Sequence, residues 1–284
     1  MTTEALIGAL EATKSDSVAA PFVKWAGGKR GIIGELVSRL PESFKDYWEP
    51  FAGGAALFFE LAGLIRRAHL SDNNFDLVVT YNAIKRDPDS LIRRLKEHAQ
   101  KHDSDYYYMI RAQHELQSPV EIAARLIYLN KTCYNGLYRV NRRGEFNVPM
   151  GSYKNPDSVT EQNIRACSKA LADASIECRQ FDTVSPQAGD FVYFDPPYHA
   201  TVDTSFTNYT KLDFTEQDQV RLRDFALALG KRKVKVMLSN SDTPFIRDLY
   251  KTKAFTTATI QAPRMINCKS TKRGTVNEVL ITNY

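Results

Sequence analysis

Gly189-Asp-Phe-Val-Tyr-Phe-Asp-Pro-Pro-Tyr198 is the stretch from which the fold follows. Phe191 to Phe194 form a short apolar run of β-branched and aromatic residues with turn formers on both sides. That is the pattern of a strand buried on both faces in a parallel sheet. Asp195 stands at the carboxyl end of this strand, where open α/β sheets bind their ligands. Pro196 and Pro197 fix φ and remove two backbone donors, so the carbonyls here are held rigidly and left to accept. Tyr198 adds an aromatic face. An acid, a fixed carbonyl and a ring suit a planar exocyclic amine, with two acceptors for its hydrogens and a surface for stacking. Taken alone, these residues equally describe a strand ending in an Asp-Pro turn, so the rest of the chain has to decide.

Upstream, Tyr47-Trp-Glu-Pro-Phe-Ala-Gly-Gly-Ala-Ala-Leu-Phe-Phe59 reads as a strand, a glycine turn and an apolar helix, the first half of a nucleotide-binding βαβ unit. A second strand, Ala68 to Ser71, ends at Asp72, about 20 residues beyond Gly53, the spacing at which such folds place an acid on ribose hydroxyls. An acid in this place also terminates strands for purely structural reasons. Earlier still, Pro21-Phe-Val-Lys-Trp-Ala-Gly-Gly-Lys-Arg30 contains Gly-Gly-Lys, but Arg30 occupies the place where a phosphate loop needs Ser or Thr, and the glycine spacing is wrong. A nucleoside triphosphatase is disfavoured. Trp25 instead offers a flat ring beside two glycines, ahead of a helix from about Gly31 to Leu40.

Between Asp72 and the opening stretch the texture changes twice. From Asn74 to Leu129 the periodicity is helical, with Leu91, Ile92 and Leu95 on one face and Ile122, Leu126 and Leu129 on another. The run Tyr106 to Tyr108 reads as a helical core stripe. Asn130 to Pro156 is then rich in Asn, Tyr and Arg. Leu137 to Asn141 and Glu145 to Val148 read as two strands around an Arg-Arg-Gly turn. Arg139, Arg142, Arg143 and Lys154 interleave with Tyr134, Tyr138 and Tyr153, a mixture suited to phosphate contacts, base-edge hydrogen bonds and stacking. A helix over Glu161 to Ala172 and a strand over Ile176 to Phe181 lead back to the opening stretch. Beyond it come a polar, mobile loop over Thr201 to Leu212, and a helix capped by Thr215 and Asp218 with Val220, Phe225 and Leu229 inward. A buried strand over Val234 to Leu238, ended by Ser239-Asn240, then precedes a basic loop (Arg264, Lys269, Lys272, Arg273) and a last strand, Val276 to Thr282.

The 284 residues suffice for one large α/β domain or one domain carrying an insertion, and a net charge of +5 permits a polyanionic partner. Cys133, Cys167, Cys178 and Cys268 show no zinc spacing, and reduced thiols in a cytoplasmic protein are expected. No apolar stretch has membrane-spanning length. Met1 to Ala20 lacks a basic n-region and reads as a frayed extension with a short helix.

Together, Phe22-Val-Lys-Trp-Ala-Gly-Gly-Lys29, Glu49-Pro-Phe-Ala-Gly-Gly54, Asn135-Gly-Leu-Tyr-Arg139, Gly144-Glu-Phe-Asn-Val-Pro149 and Asp195-Pro-Pro-Tyr198 resemble the Dam-type, D12-class DNA adenine-N6 methyltransferases. The resemblance covers nearly all of the chain after Ala20, and the combination is far more specific than any piece. It implies a doubly wound, Rossmann-like methyltransferase sheet with a mainly helical DNA-recognition insertion carrying a β-hairpin. Residues 1–20 would be an extension, 21–73 and 157–284 the S-adenosylmethionine-binding catalytic domain, and 74–156 the insertion. One departure is visible: Ala55 stands where the glycine turn of the family ends in Gly, and its methyl is expected to crowd the cofactor slightly.

Carried over by position, the resemblance implies S-adenosylmethionine contacts from Trp25, Lys29, Phe51, Gly53, Asp72, Phe181 and Asp195. It implies catalysis by Asp195, Pro196 and Tyr198, without a metal. Lys24, Tyr134, Asn135, Leu137, Arg139, Asn147 and Pro149 would contact DNA, with GATC the usual target. The family includes solitary enzymes and partners of restriction endonucleases, so a cognate endonuclease remains an open partner, and no stable protein partner is implied. The chemistry agrees with the residues. Adenine N6 is a poor nucleophile, the sulfonium methyl is already activated, and alignment is the main task. Asp195 and the Pro196 carbonyl would accept the amino hydrogens and Tyr198 would stack on a flipped base. Cytosine-N4 and glutamine-N5 methyltransferases usually carry Ser or Asn in place of Asp195. An RNA adenine methyltransferase and a non-catalytic DNA-binding regulator stay open as alternatives.

Overall fold

Every side chain of the Phe191–Phe194 run is buried, and the run lies parallel to a strand on each side. The computed structural model describes residue 8 and residues 19–152, 160–200, 214–263 and 275–284. A 3-10 turn over Lys29–Ile32 leads into α1 (Ile33–Val37), β1 (Tyr47–Glu49), α2 (Ala56–Leu61) and β2 (Ala68–Asp72). The helices α3 (Phe75–Arg86), α4 (Pro88–Gln100), α5 (Ser104–Arg111) and α6 (Pro119–Thr132) follow, then α7 (Glu161–Ala170), β3 (Ala174–Cys178) and β4 (Phe191–Phe194). The chain continues as α8 (Glu216–Lys231), β5 (Lys235–Ser241), α9 (Pro244–Leu249), β6 (Thr256–Pro263) and β7 (Thr275–Thr282).

Among the described residues the strands form one seven-stranded sheet in the order β3-β2-β1-β4-β5-β7-β6. Strands β1 to β5 are parallel, and β7 enters antiparallel between β5 and β6. This is a doubly wound α/β sheet. The chain runs outward from β1 to β3 on one side and from β4 onward on the other, so the order reverses between β1 and β4. Ligands of such sheets bind at that reversal, beyond the carboxyl ends of the strands. Strand alternation sorts the core into two layers. Phe191, Tyr193, Met237 and Leu280 face one cluster, whereas Val192, Phe194, Leu238, Val279 and Ile281 face the other.

The helices begin where their caps place them. Asn74, Asp87 and Asp103 each accept a backbone N–H of the first turn, and Thr215 and Asp218 form the expected capping box. α3 packs on β2 and β3, and α6 packs on α3 and α4, so these helices share one continuous hydrophobic cluster with the sheet. Of the Tyr106–Tyr108 run, Tyr107 is fully buried but Tyr108 is exposed.

Several expectations need correction. On α8 the expected Phe225 and Leu229 pack on the core, but Gln219, Leu222 and Ala226 complete the inward face and Val220 is only half-buried. The expected helix over Gly31 to Leu40 is shorter, starting in a 3-10 turn. The strand before the opening stretch ends at Cys178, and Phe181 lies in a 3-10 turn. The expected hairpin is reduced to a Val140–Phe146 bridge flanked by Asn141 N–H to Glu145 and Asn147 N–H to Arg139. Side chains take over its ladder: the Asn141 carboxamide accepts from Arg143 and Glu145 N–H, and Arg139 donates to the Asn147 carbonyl. α9 and β6 were not anticipated. The Thr201 to Leu212 loop, the basic residues Arg264 to Arg273, Tyr153, Lys154 and Cys268 lie outside the described residues.

Asn130, fully buried at the end of α6, joins two remote segments. Its side chain accepts from the Lys24 N–H (2.7 Å) and donates to the carbonyls of Lys24 (2.9 Å) and Gly136 (3.1 Å). Asn130→Ala strips all three backbone groups of this partner. A loss of about 3 kcal/mol or more is expected, from ~1–3 kcal/mol for each buried group left unsatisfied. Urea denaturation measures it.

Candidate active site

The carboxyl end of β4 delivers Asp195 to the reversal point of the sheet. There the Lys29 ammonium, 5% exposed, lies 2.8 Å from Asp195 Oδ1, and the Ser239 hydroxyl donates to the same oxygen at 3.1 Å. Among the described residues no hydrogen bond or ion pair reaches Asp195 Oδ2 or the Pro196 carbonyl. Burial pushes the Asp195 carboxyl above its ordinary range, and Lys29 and then Ser239 pull it back. Lys29 also donates to the Gly27 carbonyl and stands 4.7 Å from the centroid of the Tyr198 ring. The Tyr198 hydroxyl donates to Glu278 Oε2 at 2.8 Å, so β7 fixes the far edge of that ring.

The end of β1 supplies the glycine turn. Gly53 has φ +47, and a Cβ there would stand 2.7 Å from Trp25 Cδ1, so both conformation and space require glycine. Its N–H donates to Asp72 Oδ2 at 3.0 Å, and its carbonyl accepts from the Tyr81 hydroxyl at 2.9 Å. Asp72 Oδ1 accepts the Asn74 N–H at 2.9 Å. Asp72 therefore organises the turn, and its carboxylate retains lone pairs for further donors. Ala55 has φ 47 and ψ 45, left-handed for a residue with a Cβ. Its methyl is packed in the core at 1% exposure, and holding a residue with a Cβ in this conformation costs roughly 1–2 kcal/mol. Phe51 stacks on Phe181 at 5.2 Å; Phe181 is itself buried and capped by the Arg221 guanidinium.

A second group gathers beside the first. Asn135 and Gly136 both have positive φ and the Leu137 N–H donates to Tyr134, as in a type I′ turn, leaving Tyr134 and Asn135 exposed. A Cβ on Gly136 would collide with the Lys24 side chain, which crosses it. The Tyr134 N–H donates to the Pro149 carbonyl at 2.9 Å. Arg139 Nε donates to Asn147 Oδ1 at 2.7 Å, so Asn147 braces the guanidinium. Trp25 stacks on Tyr138 at 4.8 Å, joining the two groups. The structure thus brings Lys24, Tyr134, Asn135, Leu137, Arg139, Asn147 and Pro149 together, and sets Trp25, Lys29, Phe51, Gly53, Asp72, Phe181, Asp195, Pro196 and Tyr198 around the sheet reversal. Ser239, Glu278, Glu49 and Asn130 escaped the sequence reading. A Ser-Asn pair ending the strand next to β4 was the available signal for Ser239.

A family model for the D12 class N6 adenine-specific DNA methyltransferases matches residues 25–266. The chain belongs to that family. This DNA methyltransferase is 42% identical over 274 residues to the type II methyltransferase M1.LlaDCHI of Lactococcus lactis subsp. cremoris, covering 93% of this chain and 95% of that protein. It is 43% identical over 287 residues to the type II methyltransferase M.MjaIII of Methanocaldococcus jannaschii, covering 93% and 99%. Similarity to the DNA adenine methylase of Escherichia coli is 33% identity over 265 residues, covering 91% and 93%. The enzyme is an adenine-specific DNA methyltransferase, and its family implies S-adenosylmethionine as methyl donor. The residues present fit that group: a glycine turn and an acid at adjacent strand ends for a ribose, with aromatic rings and a second acid nearby. Among the described residues no helix is long and apolar enough to cross a membrane.

Glu49, 2% exposed, accepts the Tyr47 hydroxyl at 2.7 Å, and burial pushes its carboxyl up to about 8. Burial therefore favours the protonated form of Glu49. With the folded value above the unfolded one, this contribution to stability is complete below about pH 4 and is lost as pH rises through about 8. Glu49→Gln cannot ionise, so its stability relative to the wild type is expected to rise between pH 5 and 8. Thermal melts across that range check it.

Proposed function

We propose that the enzyme transfers the methyl group of S-adenosylmethionine to N6 of an adenine flipped out of duplex DNA, within GATC, and that it acts in the cytoplasm. The observation that carries the reading is the Asp195 corner: an acid whose Oδ1 is held by Lys29 and Ser239, beside a rigid proline carbonyl and a braced ring. Bound S-adenosylmethionine supplies an activated methyl group. Asp195 and the Pro196 carbonyl accept the two amino hydrogens, favour a pyramidal nitrogen and stabilise the positive charge that develops on it. Tyr198 stacks on the extruded base. Asp72 accepts ribose hydroxyls, Trp25, Phe51, Gly53 and Phe181 wall the cofactor, and Lys29 orients Asp195.

In the same reading, residues 74–156 form the DNA-recognition insertion on a catalytic domain of 21–73 and 157–284. Lys24, Tyr134, Asn135, Leu137, Arg139, Asn147 and Pro149 face the duplex. The type II names of two relatives support a cognate restriction endonuclease as functional partner. Methylation-aware sequencing of DNA from cells expressing the enzyme tests the target. Modification outside GATC would replace that sequence, and methylation of RNA oligomers in preference to duplex DNA would replace the substrate.

Asp195→Ala is expected to abolish methyl transfer while leaving duplex binding largely intact, with circular dichroism confirming the fold. Normal turnover would remove Asp195 from the chemistry. Arg139→Ala is expected to relax discrimination at one base pair of the site, since a bidentate contact to guanine contributes about 1–3 kcal/mol. Methylation rates on duplexes carrying single substituted base pairs measure this. A uniform loss across the set would make Arg139 a phosphate contact, with a salt slope lowered by about one.

A further inference from the structure

Two fully buried amides hold the backbone of the Asp195 corner from behind. Gln219 comes from α8 and Asn240 from β5, and both are 0% exposed. Gln219 Nε2 donates to the Pro197 carbonyl at 2.9 Å, and its Oε1 accepts from Asn240 Nδ2 at 3.0 Å. Asn240 Oδ1 accepts the His199 N–H at 3.1 Å and the Ser241 N–H at 2.9 Å. The Ser241 hydroxyl donates to the His199 carbonyl.

The Pro197 carbonyl and the His199 N–H belong to the two peptide groups that flank the Tyr198 Cα. A chain of hydrogen bonds therefore leaves one side of Tyr198, crosses the core through two side chains and returns on the other side. The neighbours on the same elements, Leu222 and Leu238, are fully buried hydrocarbons. An apolar pair would fill this layer without polar groups to satisfy. What two amides add is direction. They draw the Pro197 carbonyl inward, while the Pro196 carbonyl accepts no hydrogen bond among the described residues, and they restrain both backbone torsions of Tyr198.

We infer that Gln219 and Asn240 are positioning residues that set the backbone of Tyr198, and through it the plane on which the target base stacks. The inference rests on the stacking role proposed for Tyr198. Neither side chain touches the substrate; they act through the peptide groups of the corner. Displacement of about 1 Å at a reacting centre lowers rates up to about 100-fold, which sets the scale of the effect.

The test uses the full chain, saturating S-adenosylmethionine and a GATC duplex, at a temperature well below the melting midpoint of each variant. Gln219→Met keeps the length of the side chain without its hydrogen bonds. Its kcat is expected to fall about 10–100-fold, with KM for DNA and the Kd for S-adenosylmethionine within about twofold of wild type. Adding Asn240→Leu is expected to cost little more, because the two amides form one chain. A duplex carrying 2-aminopurine at the target position should show altered fluorescence with Gln219→Met, as the ring beside the flipped base shifts. If Gln219→Met does not fold, Gln219→Leu takes its place; it likewise removes the donor to Pro197 and should show the same loss. Wild-type kcat in the folded variant, or a rise in KM alone, overturns the inference. Tyr198→Ala separates the two ideas. Wild-type kcat there would remove the stacking role itself, whereas a crippled Tyr198→Ala beside a normal Gln219→Met would remove only the clamp.

Discussion

The buried Lys29 ammonium offsets the cost of burying acids at the reversal point of the sheet. Lys29 pulls down the carboxyls of Asp195, Glu278 and Glu49, each of which burial pushes up. A buried ion pair of this kind is a poor source of stability, because both partners lose their hydration. Its consequence is geometric. Lys29 precedes the first strand and Asp195 follows the fourth, so the pair pins the N-terminal segment across the carboxyl ends of the sheet. The same ammonium meets the Gly27 carbonyl and the Tyr198 ring, which fixes three parts of the corner at once.

The rest of the site is assembled around that segment. Trp25 lies between Gly53 and Tyr138, so the glycine turn after β1 and the Arg-rich loop after α6 share one aromatic wall. Lys24, immediately before it, is held through its backbone by Asn130 and crosses Gly136. Methyl transfer requires the donor and the target base to meet within a short distance. Here the stack of Trp25 on Tyr138 joins the elements proposed for each, while an ion pair at Lys29 and a buried amide at Lys24 hold the segment that carries Trp25. This arrangement makes orientation a property of the fold, in keeping with chemistry that needs alignment more than a reactive side chain.

Polar residues in the core follow the same logic. Ser239, Asn240 and Ser241 close β5 with successive bonds to Asp195, His199 N–H and the His199 carbonyl. Three neighbouring side chains on one strand thus hold the segment that leaves the adjacent strand, where an apolar sequence would leave it to pack in several ways.

By itself the sequence determined the buried strand Phe191–Phe194, the acid at its end, the glycine turn with Asp72 beyond it, and the helical character of the segment between β2 and β3. These are local signals: periodicity, turn chemistry and spacing depend on neighbours in the chain. The capping box at Thr215 was legible for the same reason. Tertiary structure alone decided that Asn141 and Arg139 would replace most of the hairpin ladder, and that α8 would turn Gln219 inward in place of Val220. It also decided the partners of Asp195 and Tyr198. Lys29 lies far upstream of Asp195, and Glu278 reaches Tyr198 only because β7 inserts antiparallel beside β5. A polar residue carries no mark in the sequence of what it will meet across a sheet, because that depends on strand order and register, which only the folded chain specifies.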